Sequence, residues 1–295
     1  MNNIEKCPVC QSDKFTQEFS CVDETVSRET FQISKCEECA FLFTNNIPKK
    51  EELGKYYQSE EYISHTNSSE GLFNKLYKLI RFITLKQKVK LLGNETGVLL
   101  EYGSGTGELL AACIEKGWKC TGVEPEEKAR KKAQKNHNLK LIDTAEKIDF
   151  CENSIDRIMM WHVLEHIPDL HETLSNFKHW LKKEGVMLIA VPNHKSWDAK
   201  YYQESWAAYD VPRHLYHFDK NSMKTLLNQH NLEIIKTKPM WFDAFYVAIL
   251  SEKIKSGQKK IIKGAILGLV SNLRALFINR EFSSQIFVIG HKKVN

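Results

Sequence analysis

Val98-Leu99-Leu100-Glu101-Tyr102-Gly103-Ser104-Gly105-Thr106-Gly107 is the stretch on which the fold turns. A short apolar run reads as a buried strand, passes into a loop with glycine at every second position, and is followed at once by helical spacing near Leu109–Lys116. Glycine allows a tight turn and close approach of a ligand to the backbone. A dinucleotide fingerprint, GxGxxG, would need glycine at 108, where the residue is Glu108. Glu101, before the first glycine, would repel a pyrophosphate and attract a cation. The loop therefore predicts a ligand that carries positive charge.

Working outward, strands are expected near Cys120–Val123, Lys140–Ile142, Ile155–Met160, Val186–Val191, Leu232–Lys238 and Gln285–Ile289. Helices are expected near Glu126–Asn136, Leu170–Leu181, Asn221–His230 and Ile261–Phe277. Leu72, Leu76, Leu79, Ile80, Ile83 and Leu91 recur at helical spacing before the first strand and predict a helix lying against the sheet. Strands alternating with helices predict an α/β fold with a mostly parallel sheet and helices on both faces. Glu124 stands 23 residues after Glu101, at the end of the second strand, where a carboxylate can accept ribose hydroxyls. Pro125 suits the first turn of the next helix.

These residues are joined by Thr144-Ala145-Glu146-Lys147-Ile148-Asp149-Phe150, by Asn153-Ser154-Ile155-Asp156, by Trp161-His162-Val163-Leu164-Glu165-His166-Ile167-Pro168-Asp169 and by Val191-Pro192-Asn193. Together with ExGxGxG they resemble class I S-adenosylmethionine-dependent methyltransferases, from about Gly97 to the C-terminus. The resemblance implies a Rossmann-like sheet and S-adenosylmethionine as cofactor. It implies that Glu101 lies near the methionine portion, within the loop Gly103, Ser104, Gly105 and Gly107. It implies that Glu124 and Pro125 border the ribose, that Thr144 and Ala145 border the adenine, and that Trp161 and His162 line the cofactor. The ammonium and sulfonium of such a cofactor agree with the acid at 101.

Cys7-Pro-Val-Cys10 and Cys36-Glu-Glu-Cys39 are two CxxC turns separated by 25 residues. Two such turns supply four thiolates to one tetrahedral Zn²⁺, and four ligands leave no open position, so the ion would be structural. Cys21 reads as a small core residue. The expected organisation is a zinc-binding ribbon over residues 1–48, a linker and helix over 49–96, and the methyltransferase domain over 97–295 with a helical insert at about 251–280. Tyr56, Tyr57 and Tyr62 fall in the linker leading to Ser69. With the CxxC pairs, the chain resembles the group that includes sugar C-methyltransferases and quinone O-methyltransferases, and the acceptor class follows from that resemblance alone.

Methyl transfer needs an aligned nucleophile and, for a hydroxyl or carbon acid, a base. His166 and His214 are the candidates, because imidazole titrates near neutrality. In sugar-methylating relatives a histidine matching each position is an active-site residue, which the resemblance carries to His166 and His214. Arg213 either pairs with a substrate anion or makes an ordinary ion pair. Tyr201, Tyr202, Trp206 and Tyr209 lie in a long loop that either covers a substrate or packs on the body. His217 packs beside Phe218.

The full sequence of 295 residues carries 42 Lys and Arg against 37 Asp and Glu, a net charge of +5, with 42% hydrophobic and 27% charged residues. These values exclude a disordered or collagenous chain. The charge is unevenly spread. Seven bases against eleven acids leave residues 1–60 at −4, whereas nine against two leave residues 251–295 at +7. An acidic cysteine module argues against a phosphate-gripping role, so nucleic acid is not expected as a partner. The expected partner is a small-molecule substrate, with RNA base methylation and a non-catalytic cofactor- or zinc-held interaction protein as competing readings. The basic, apolar segment Ile261–Ile278 is expected either to pack on the sheet or a second subunit, or to touch an anionic membrane surface. Lys263, Asn272 and Arg274 argue against a spanning helix. The absence of an apolar signal core at the N-terminus and the CxxC pairs point to the reducing cytoplasm.

Overall fold

A computed structural model of the chain describes residues 3–57, 72–148 and 150–293. Tyr62, Ser69 and Asp149 lie outside these residues. In chain order the elements are β1 (Phe15–Val22), β2 (Thr30–Cys36), β3 (Leu42–Asn45), α1 (Leu72–Lys90), β4 (Val98–Tyr102), α2 (Glu108–Glu115), β5 (Lys119–Val123), α3 (Glu127–His137) and β6 (Ile155–Trp161). There follow α4 (Leu170–Trp180), β7 (Leu181–Pro192), α5 (Trp197–Tyr202), β8 (Tyr216–His217), α6 (Lys220–Gln229), β9 (Leu232–Pro239), α7 (Asp243–Ser256), α8 (Ile261–Arg274) and β10 (Ser284–His291).

The main sheet has the order β5-β4-β6-β7-β10-β9. The pairs from β5 to β7 are parallel, and β10 runs antiparallel to both β7 and β9. Leu99 and Leu100 of β4 and Ile158, Met159 and Met160 of β6 are fully buried, as expected of central parallel strands covered on both faces. α4 covers one face by burying Leu170, Leu174, Phe177 and Trp180, a helical stripe.

The expected strand at Lys140–Ile142 is reduced to one parallel bridge between Ile142 and Val123. Pro125 is not in the first turn of α3. Glu126 is the N-cap, its carboxylate accepting from the Lys128 amide, so the proline precedes the cap. The helix α1 forms as expected, but Leu79 is 54% exposed. The packing on the sheet comes from Leu85 and Val89 at the end of the helix and from Leu91 just past it, the last as expected.

The second sheet has the order β1-β2-β3-β8. Leu42 pairs with His217 and Phe43 with Tyr216, so the strand that completes the cysteine-bearing sheet comes from the chain after β7. Cys36, Phe41 and Phe43 share a core with Leu100, Tyr216 and Phe218. Cys21 is buried in a neighbouring cluster with Tyr202, Trp206 and Tyr209. The aromatic loop after β7 is thus packed against the N-terminal sheet, with Tyr201 alone of its four aromatics exposed. The insert is longer than expected: α7 begins at Asp243, and α7 and α8 lie side by side before β10.

Candidate active site

The loop after β4 folds back onto β5. The Gly103 and Ser104 amides both donate to the Val123 carbonyl, at 2.8 Å each, and the Ser104 hydroxyl donates to the Glu101 carbonyl. Gly103 has φ +78, and a Cβ there would stand 2.3 Å from Cγ2 of Val163, so only glycine fits. Gly105 has φ +53 and nothing within 4 Å of the Cβ position. Its amide donates to Oε2 of Glu124 at 2.8 Å, and the Glu126 amide donates to Oε1 of the same carboxylate at 2.9 Å. Gly107 then precedes α2. Thr144 and Ala145 open a short turn in which the Lys147 amide donates to the Thr144 carbonyl.

Glu101 is 3% exposed, and its Oε2 is buried with no hydrogen-bond partner. Burial pushes this carboxyl up to about 8, with Lys88 opposing the shift and Glu108 and Glu124 adding to it. Lys88 itself lies 4.4 Å over the Trp161 ring. An unsatisfied buried acid beside an open glycine loop suits a ligand that brings its own cation, because the pair restores the charge that burial suppresses.

β6 ends at Trp161, and His162 follows in the left-handed region with φ +56, a conformation that a non-glycine residue keeps only when its surroundings hold it. The restraints are two carboxylates. His162 Nε2 is 2.9 Å from Asp243 Oδ2, and Nδ1 is 3.4 Å from Glu165 Oε1. Burial would lower the imidazole's pKa, but Asp243 and Glu165 outweigh it and hold it at about 10. Glu165 is wholly buried. Burial works to raise its pKa, yet the hydrogen bond from His162 and the nearby His214 keep it low.

His166 and His214 form an edge-to-face pair with ring centres 4.6 Å apart. His166 Nδ1 is 2.9 Å from the Arg213 carbonyl and 3.2 Å from the Tyr57 hydroxyl. His214 Nδ1 is 2.8 Å from the Ala208 carbonyl. A carbonyl can only accept, so both Nδ1 atoms carry the proton and both Nε2 atoms keep a lone pair in the neutral rings. Burial, and then the neighbouring His214, push His166 down to about 4. Ligating atoms of Glu165, His166 and His214 all lie within 4.8 Å of one another.

Arg213 is not a substrate anchor. It is 2% exposed, and its guanidinium donates to Asp210, Asp23, Thr25 and the Tyr56 carbonyl. His217 is likewise internal, with Nε2 3.0 Å from the Thr44 hydroxyl. Sequence reasoning missed Asp243, which lies 81 positions from His162, and gave Glu165 no role although it sits inside the quoted motif. Asp210 had no signal except its place beside the candidate histidine.

At the N-terminus, Cys7, Cys10, Cys36 and Cys39 converge, with all four Sγ atoms within 4.8 Å. Cys7 and Cys39 are 3.6 Å apart, and Cys10 and Cys36 are 3.4 Å apart. A tetrahedron of ~2.3 Å metal–sulfur bonds has edges of ~3.8 Å, so the donor set fits zinc.

A glycine loop follows the first parallel strand, an acid follows the second and a histidine turn follows the next, so all three stand at the same ends of the parallel strands. The chain belongs to the methyltransferase domain family, which matches residues 72–237. The matched region, more than half of the chain, is a methyltransferase domain. An uncharacterized methyltransferase of Geobacillus sp. (strain WCH70) is 29% identical over 133 residues, 43% of this chain and 62% of that protein, so the match spans less than two thirds of this relative. The ubiquinone biosynthesis O-methyltransferase of Rickettsia typhi is 26% identical over 211 residues, 66% of this chain and 84% of that one. A solved S-adenosylmethionine-dependent methyltransferase from Thermotoga maritima shares the fold, with a TM-score of 0.50 at 19% identity over 75% of this chain and 95% of that one.

Proposed function

We propose that the enzyme methylates an oxygen or acidic carbon of a small molecule, a quinone precursor or a nucleotide-linked sugar being the classes that the resemblances favour, with the His166–His214 pair as the base. The observation that carries the reading is this pair of histidines, each anchored at Nδ1 by a carbonyl so that Nε2 keeps the lone pair, that of His214 lying 3.9 Å from Asp210 Oδ2. The cofactor, when bound, supplies a methyl group on a sulfonium centre that leaves as a neutral thioether. Glu101 receives its ammonium end, and the backbone from Gly103 to Gly107, with Ser104 and Gly105, forms the floor. Glu124, flanked by Pro125, uses its remaining lone pairs for the ribose hydroxyls. Thr144 and the Ala145 backbone border the adenine, and Trp161 and His162 close the side. One histidine of the pair takes, at Nε2, the proton that the acceptor gives up. Glu165, buried beside both rings, stabilises the imidazolium so formed.

Incubating the purified enzyme with methyl-labelled cofactor and a metabolite extract tests the reading. His166→Ala and His214→Ala should each lower turnover roughly 100-fold or more while keeping the calorimetric heat of cofactor binding. Label transfer that survives both substitutions would refute the base assignment. Cofactor binding at neutral pH should also release a proton as Glu101 ionises, read as a heat that varies with buffer.

The four N-terminal cysteines hold a structural zinc in the same reading. Atomic emission should find about one zinc per chain, and Cys36→Ser should lose it.

A further inference from the structure

The helix α8 faces the wrong way for a helix bathed in water. Its small and polar residues Gly264, Gly268, Ser271 and Asn272 are buried. Ile262, Ile266, Leu269 and Leu273, with Phe277 in the turn that follows, are exposed, from 45% at Leu273 to 78% at Ile262. Their steps of four, three, four and four place them on one stripe. A soluble helix buries such residues and shows its polar ones.

Packing fixes this orientation. A Cβ on Gly264 would stand 2.6 Å from Cα of Ile249, and one on Gly268 would stand 2.7 Å from the Ala244 carbonyl oxygen. The two backbones touch, so α8 cannot roll to bury larger groups. Two hydrogen bonds lock it further: Ser271 Oγ donates to Asp198 Oδ1 at 2.6 Å, and Asn272 Nδ2 donates to the Trp241 carbonyl at 2.8 Å. The stripe is thus held outward by the core.

Charge identifies the occupant. Residues 259–281 contain the bases Lys259, Lys260, Lys263, Arg274 and Arg280 against one acid, Glu281, and Lys263 is paired with Glu252 of α7 at 3.0 Å. A second copy of the same face would set five bases against five. An anionic lipid surface offers both the negative headgroups and the apolar layer that this face lacks. We propose that α8 docks in the plane of an anionic membrane, with the Ile262–Phe277 stripe in the acyl boundary and the bases among the headgroups. Ile261–Asn279 is long and apolar enough to cross a membrane, but its glycine contact with α7 and its bonds to Asp198 and Trp241 keep it on the body.

The test is co-sedimentation of the full chain with vesicles of phosphatidylcholine, with and without phosphatidylglycerol, at low and high salt. The protein should pellet at least ~10-fold more with the anionic vesicles, and salt should weaken this. Ile266→Asp with Leu269→Asp should abolish pelleting while preserving cofactor-binding heat, which certifies the fold. Lys259→Glu with Lys260→Glu, placed before the helix, should weaken it independently. Absence of anionic-vesicle binding, or equal pelleting of the Ile266→Asp/Leu269→Asp protein, would overturn the proposal. So would a dimer in sedimentation velocity that these substitutions dissociate and vesicles ignore.

Discussion

His162 and His166 flank the same buried carboxylate, Glu165, yet one is a cation and the other neutral. His162 meets Asp243 at one ring nitrogen and Glu165 at the other, and is held protonated with a pKa of about 10. His166, four residues on, meets a backbone carbonyl and a second imidazole, and is pushed down to about 4. Burial acts on both in the same direction. What each ring nitrogen finds as an acceptor decides the outcome. A carbonyl fixes a tautomer without stabilising a cation as strongly as a carboxylate does, so one turn of chain supplies a fixed positive charge and a neutral base.

The contrast breaks most sharply at Asp243. Asp243→Ala removes the nearer carboxylate from His162 and leaves Glu165 facing a weaker cation. The expected loss of stability is about 2 kcal/mol, less than for a fully buried pair because water reaches His162. Chemical denaturation checks it, and an unchanged midpoint would show that the pair contributes nothing.

A smaller effect concerns pH. His162 is raised in the folded state, so its stabilisation is complete below about 6.5 and drains away as pH climbs through about 10. His166 is lowered, so the folded state is favoured above about 6.5 and loses ground as pH falls through about 4. The thermal midpoint should fall on both sides of pH 6.5. His162→Gln should flatten the alkaline side, and His166→Gln the acid side. Ring-nitrogen shifts that place both midpoints near 6.5 would erase the distinction.

The smallest expected effect is at Tyr57, whose hydroxyl is 3.2 Å from His166 Nδ1. Tyr57→Phe leaves the Arg213 carbonyl in place, so turnover should fall only a few-fold, about 1 kcal/mol or less. A loss as deep as that of His166→Ala would mean that the tyrosine, not the carbonyl, fixes the tautomer.

What could be read ahead of the structure depended on how local the cause was. Val98–Gly107 was legible because a buried strand, a glycine turn and a helix start fit within one window, and β4 and α2 formed within a residue or two of expectation. The fourth strand of the cysteine-bearing sheet was not legible, because Tyr216–His217 is two residues long and its partner lies more than 170 residues earlier. Arg213 kept two readings open until its partners in Asp23, Thr25 and Tyr56 were seen, all from the first 57 residues. The helix α7 carried a usable signal in Ala244, Val247, Ala248 and Ser251, all buried at helical spacing. Its aromatic and β-branched neighbours masked that pattern.

The pairing of β3 with β8 also sets an order of events during synthesis. The Thr44 hydroxyl donates to the His214 carbonyl at 2.6 Å, across 170 residues. Until the ribosome has released about residue 217, β3 is an open edge, with Leu42 and Phe43 uncovered, for as long as it takes to translate most of the methyltransferase domain. The amino-terminal sheet and the loop that carries His214 therefore mature together and late, and a nascent chain arrested before that point would expose a strand ready to pair with a neighbour.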